Sequence, residues 1–284
     1  MVIRVPTGHR YDRESTGWAS VGHISGRHPD RAGARPPSAK LSRRLRSVDV
    51  SATDAYPSSG GAGDLDPDYV AGAVDLLGVL AYSELTTYQS LAVHAFSAPD
   101  LASRVALCRY AAADFDHVRR LEGRLAELGS TLEDAMAPFT TVIDDLNRRT
   151  RAETWLEGLV KASVADGIIV DFYREMARLV DPRTREVVEQ VVADDGKRAY
   201  LISVVRESIT PGSPEASRLS LWGRRLVGEA LTQAQQVAAD REAMGMLLVG
   251  TPERPGADLG EIGAILRRVT ERHTDRMTRM GLTA

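Results

Sequence analysis

Four long stretches of this 284-residue chain share one constraint. Each spaces its apolar residues three and four apart, the period of a helix buried along one face, and each interrupts that face with a carboxylate. The first stripe runs Ala73, Leu77, Leu80, Glu84, Tyr88, Leu91. The second runs Leu107, Ala111, Asp114, Val118, Leu121, Leu125, with His117 at its border. The third is Leu159, Ala162, Asp166, Ile169, Tyr173, and the fourth Val187, Val191, Asp194, Leu201. In the fourth, Lys197 follows Asp194 by three residues and Asp195 competes for the inward position. A carboxylate on an apolar face is costly unless it is paired. Four such helices therefore call for a common partner at one depth. The acids are 30, 52 and 28 residues apart. A gap near 30 returns an antiparallel helix to the same level, and the longer middle gap leaves room for a crossover.

The punctuation supports helices throughout. Asp66-Pro67, Asp181-Pro182 and Ser213-Pro214 each pair an N-cap residue with proline at the first helical position. The spacing predicts helices over about 67–96, 99–128, 150–180, 182–210, 214–250 and 258–280, the second closing at Gly129 and the last at Gly281. Thr150-x-x-Glu153 fits a capping box for the third, and a short helix fits in the 130–150 connection. Scarce aromatics (5%) and the absence of competing strand patterns agree with an all-α chain. Three parts follow: a disordered basic tail over 1–65, a four-helix bundle over 66–210, and a helical pair over 211–284 packed on it.

Carboxylates at one level of a bundle, with an imidazole among them, suit divalent metal ions. The carboxylates neutralise and bridge the ions, and each imidazole completes a coordination sphere. The candidate ligands are Glu84, Asp114, His117, Asp166 and Asp194. The blocks AYSELTTYQSLA (81–92), AADFDHVRRLEGRLAELG (112–129), WLEGLVKASVADGIIVDFYREMA (155–177), ADDGKRAYL (193–201), LWGRRLVGEALTQAQ (221–235) and HTDRMTRMGL (273–282) resemble the actinobacterial branch of the MiaE-like tRNA hydroxylase family, within the ferritin-like superfamily. The resemblance implies an all-α ferritin-like four-helix bundle with two additional C-terminal helices. It also implies a diiron centre that hydroxylates a modified tRNA base with dioxygen. Against that pattern, Asp114, Asp166 and Asp194 are each one methylene shorter than the usual glutamate, and Lys197 stands where a second histidine belongs. Glu84, Asp114 and His117 are thus expected to hold one iron, and Asp166 and Asp194 a second, weaker one. Lys197 either points at the cluster, its ammonium replacing a metal charge, or lies on the surface. The rival to an oxygenase is a catalytically inactive ferritin-like scaffold or interaction protein without a complete metal site.

Other features bound the function. Residues 1–46 carry ten basic and three acidic residues, whereas the remainder carries 26 basic and 36 acidic. The acidic body argues against a large nucleic-acid footprint on the folded part. Only three of the 36 basic residues are lysine: Lys40, Lys161 and Lys197. The single Cys108 excludes an intrachain disulfide. With no uncharged apolar run of about 18 residues and no apolar leader, a cytoplasmic location without membrane partners is expected. The expected partners are a small organic or modified-nucleoside substrate, tRNA through the resemblance, and a second copy of the chain through the C-terminal helices.

Overall fold

The computed structural model describes residues 65–193, 196–250 and 256–284. The basic tail therefore lies outside the described residues apart from Leu65, and so does Asp194. Among the described residues ten α-helices follow one another: α1 Pro67–Phe96, α2 Leu101–Glu127, α3 Leu132–Met136, α4 Thr140–Arg149, α5 Trp155–Met176, α6 Pro182–Val191, α7 Lys197–Ser208, α8 Pro214–Asp240, α9 Glu242–Val249 and α10 Leu259–Arg279. No strand occurs among the described residues.

The caps sit where the sequence placed them. Asp66, Asp181 and Ser213 each accept a backbone N–H of the first turn, and proline follows each. Asp100 caps α2 through the Ser103 amide at 2.8 Å. Gly129 takes φ +82° at the end of α2, the left-handed position that stops a helix. The third long helix corrects the sequence reading. Its capping box is Thr154 with Glu157, not Thr150 with Glu153, so α5 starts at Trp155. The expected single helix over 182–210 is also two. α6 ends at Val191, and α7 begins at Lys197 after Gly196 turns through φ +87°, a conformation that suits glycine. The stretch 214–250 likewise breaks at Arg241, whose guanidinium turns aside to grip Asp75 of α1.

α1 and α2 form a closely packed antiparallel pair, and α5 lies between α1 and the C-terminal helices α8 and α10. α9 covers α1, and the short α3 wedges its Ala135 against it. A Cβ on Gly78 would stand 2.1 Å from the Ala135 carbonyl oxygen. Gly78→Ala is therefore expected to destabilise by about 1–3 kcal/mol despite its better helix propensity. Gly123→Ala, with open space around its position, should stabilise by up to about 1 kcal/mol. Urea melts of the pair test whether backbone contact rather than propensity sets the sign.

The apolar interior has two main halves. One gathers Leu76, Leu77 and Leu80 of α1, Leu121 and Leu125 of α2 and Tyr173 of α5. The other gathers Leu91 of α1, Leu107 and Ala111 of α2, Leu159 and Val164 of α5 and Leu201 of α7. Along both α1 and α2 the residues between the halves are the charged ones: Glu84, then Asp114 and His117. A polar layer thus crosses the bundle. By length and composition α1 alone among the described residues could span a membrane, yet 56% of that stretch is buried in the protein, as befits a core helix.

Candidate metal centre

The layer is built by four helices. α1 supplies Glu84, α2 supplies Asp114 and His117, α5 supplies Asp166, and α7 supplies Lys197. Glu84, Asp114, Asp166 and Lys197 are all buried. His117 Nδ1 lies 3.0 Å from Glu84 Oε2. Ligand atoms of Glu84, Asp114 and His117 come within 4.8 Å of one another, close enough to share one ion. The structure thus brings together Glu84, Asp114, His117 and Asp166.

Lys197 faces inward. Its Nζ lies 2.6 Å from Asp114 Oδ1 and 2.9 Å from Asp166 Oδ2, joining α7 to α2 and α5. Lysine at the first position of a helix opposes the helix dipole, so these carboxylates, not the helix, hold it there. Asp114 spends Oδ1 on this bond. Its Oδ2 is buried with no hydrogen-bond partner among the described residues. A cavity of about 20 Å³ adjoins Glu84, His117, Asp166 and Lys197, room for one water-sized guest.

Charge decides what this layer tolerates. Three carboxylates meet one ammonium, with His117 beside them. Burial pushes the Asp114 carboxyl up to about 8, against the pull of Lys197 and with the push of Asp166 and Glu84. Burial also raises Glu84, although its bond to His117 opposes the shift. Lys197 would be lowered by burial, but Asp166, Asp114 and Glu84 together raise it and keep it charged. The Tyr173 hydroxyl, fully buried near Glu84, is raised well above its ordinary value and stays a neutral phenol. The deficit is two positive charges. One divalent ion supplies them, and so do two protons.

This arithmetic tests the fit of a metal. One ion fits, because Glu84, Asp114 and His117 offer two carboxylates and an imidazole of the kind that iron, zinc and manganese accept. A second ion does not fit beside it, because the Lys197 ammonium already stands between Asp114 and Asp166; Asp194, expected to hold that ion with Asp166, lies outside the described residues. Two supporting groups escaped the sequence reading. Arg276 of α10 packs on Gly167 and donates to Asp171 at 2.5 Å, placing a second buried cation behind Asp166. Arg268 and Arg272 bind Glu175 one turn further along α5. The signal was a period of four in both partners: Arg268, Arg272 and Arg276 against Asp171 and Glu175.

A helical bundle crossed by a buried carboxylate and imidazole layer defines a class, the ferritin-like proteins, that residues 67–251 then specify. They match the family described as the ferritin-like domain of actinomycetes, and the chain belongs to that family. Among solved structures it is similar to a protein from Synechococcus described as having aldehyde deformylating oxidase activity. The TM-score is 0.60 at 20% identity, over 80% of this chain and 95% of that one, a likeness of fold. No curated protein matches the chain.

Proposed function

We propose that the chain is a metalloprotein of the oxygenase type that holds a single divalent ion at Glu84, Asp114 and His117, with Lys197 in place of a second ion. The observation that carries this reading is the division of labour at Asp114. One oxygen is fixed by Lys197 and the other is buried and unpartnered, while Asp114, Glu84 and His117 offer ligand atoms within 4.8 Å of one another. An unpaired carboxylate oxygen is costly in a protein interior, and a cation there would relieve the cost. Bound iron would supply dioxygen chemistry. The protein's own groups do the rest. Lys197 keeps a proton on Nζ and fixes Asp114 and Asp166. The phenol of Tyr173 stays protonated near Glu84. The two apolar halves keep bulk water from the layer.

Substrate enters this reading through size. The cavity beside the ligands accepts a guest of water or dioxygen dimensions. An organic C–H bond would approach along His117, whose side chain is 15% exposed. The tRNA-directed specificity rests on the sequence resemblance alone, as does a modified-nucleoside substrate. A metal-free scaffold is the second reading, favoured by the two bonds of Lys197, which cross-link three helices without any ion.

Loading the full chain with ferrous iron under anaerobic conditions, followed by mass-spectrometric metal analysis, is expected to give one iron per chain. His117→Ala should lose it. At free metal about 100 times Kd, binding adds about 2.7 kcal/mol, a rise in Tm of roughly 5–10 °C. Two irons of equal affinity would overturn the role given to Lys197. No iron would select the scaffold.

A further inference from the structure

Of the two lysines among the described residues, Lys197 is buried and Lys161 is half-buried. Lys197 is paired with carboxylates; Lys161, on α5, is not. Its Nζ bonds only a neutral acceptor, Asn147 Oδ1, at 2.9 Å, and no carboxylate pairs with it among the described residues. Burial alone lowers its pKa to about 8. A desolvated cation without a counter-charge is a standing cost.

Lys161 lines a cleft of about 530 Å³ between the last turns of α1, the body of α4 and the start of α5. That volume falls in the range of small-molecule sites. The polar groups of its inner wall are short of acceptors. His94 packs against Gly158, and burial together with Lys161 depresses its pKa. Trp155 lines the same cleft, and its indole Nε1–H is buried without a partner among the described residues. The acids at the rim, Asp144 and Glu153, are exposed, and Asp144 already accepts from the Tyr82 hydroxyl at 2.8 Å. The faces of Trp155, Val93 and Ala152 add apolar surface.

We propose that this cleft is a binding site for a small organic carboxylate, its head group taken by Lys161 Nζ and its short apolar tail laid on Trp155 and Val93. The carboxylate supplies the counter-charge that Lys161 lacks. The site is distinct from the metal centre, and the proposal does not depend on that reading.

Hexanoate is the probe. Calorimetric titration of the full chain is expected to show one site for hexanoate and none for hexanol, which has the same tail without the charge. Lys161→Met should weaken binding by about tenfold or more, the loss expected for a charge-assisted hydrogen bond. Its Tm should stay level or rise, since it removes a half-buried charge that no carboxylate offsets. Lys161→Gln, which keeps a donor for Asn147 but no charge, serves if the methionine variant does not fold, with the same weakening expected. Of the three indole N–H resonances, the one missing in Trp155→Phe should move when hexanoate is added. His117→Ala should bind hexanoate as the parent does, which separates this site from the metal centre. The proposal is overturned if hexanoate gives neither heat nor a shift, if hexanol binds equally, or if loss of the Lys161 charge leaves the affinity unchanged.

Discussion

Replacing Lys197 by methionine is expected to cost about 3–5 kcal/mol, the penalty for removing one member of a buried ion pair and leaving the other uncompensated. Here two carboxylates are stranded, Asp114 at 2.6 Å and Asp166 at 2.9 Å from the missing ammonium. For a body of this size the loss corresponds to a fall in Tm of roughly 10 °C. Methionine keeps the aliphatic stem, so the loss measures charge rather than volume. The same vacancy should now accept a cation. Added manganese is expected to restore more stability in Lys197→Met than it adds to the parent, and Lys197→His, with an imidazole facing Asp166, should raise the metal count above that of the parent. A methionine variant as stable as the parent would show that Lys197 is a passenger and that the carboxylates balance one another by taking up protons.

How much of this could be read from the sequence depends on the range of each interaction. The caps are local, and Asp66, Asp181 and Ser213 announce their helices within four residues. The stripes are local too, which is why Glu84, Asp114 and Asp166 could be set on inward faces before any tertiary contact was known. What local pattern cannot settle is phase. The fourth stripe looked continuous from Val187 to Leu201, yet Gly196 resets the helix, and only after that reset does Lys197 point inward. Its two alternative orientations differ by a backbone turn that the apolar period does not encode. Arg276 was hidden for another reason. An arginine on a helix is ordinarily a solvated cation, and its burial follows from Asp171 lying more than a hundred residues away on α5. A lone lysine such as Lys161 carries no pattern in the sequence; its meaning comes from having a neutral partner, Asn147, and no paired carboxylate among the described residues.

Arg124→Met is expected to be the other costly substitution, at about 3–5 kcal/mol near neutral pH. Arg124 lies one turn short of the end of α2, is only 6% exposed, and ties α2 to the start of α6. Its Nε donates to Thr184 Oγ1 at 2.9 Å, Nη1 to Glu127 at 2.8 Å, and Nη2 to both oxygens of Asp181 at 3.3 and 3.2 Å. The Tyr69 hydroxyl of α1 also donates to Asp181 and accepts from its backbone amide at 2.8 Å. Burial alone would raise the Asp181 carboxyl, but the hydrogen bonds of Thr184 and Tyr69 and the charge of Arg124 outweigh it and hold the group below its ordinary value. The sign of the pH dependence follows. A carboxylate whose folded pKa lies below its unfolded value stabilises the fold at pH above the unfolded value, near 4. That contribution is lost as pH falls through the folded value. Parent and Arg124→Met should therefore differ most at pH 7, and the gap should narrow in urea melts as pH falls below the ordinary carboxylate value, near 4. Asp181→Asn in the Arg124→Met background should recover part of the loss at pH 7, because it removes the stranded charge while leaving a side-chain oxygen to cap α6. A gap that stays constant from pH 7 to pH 3 would mean that Arg124 acts through packing and its bond to Thr184, with the ion pair contributing nothing.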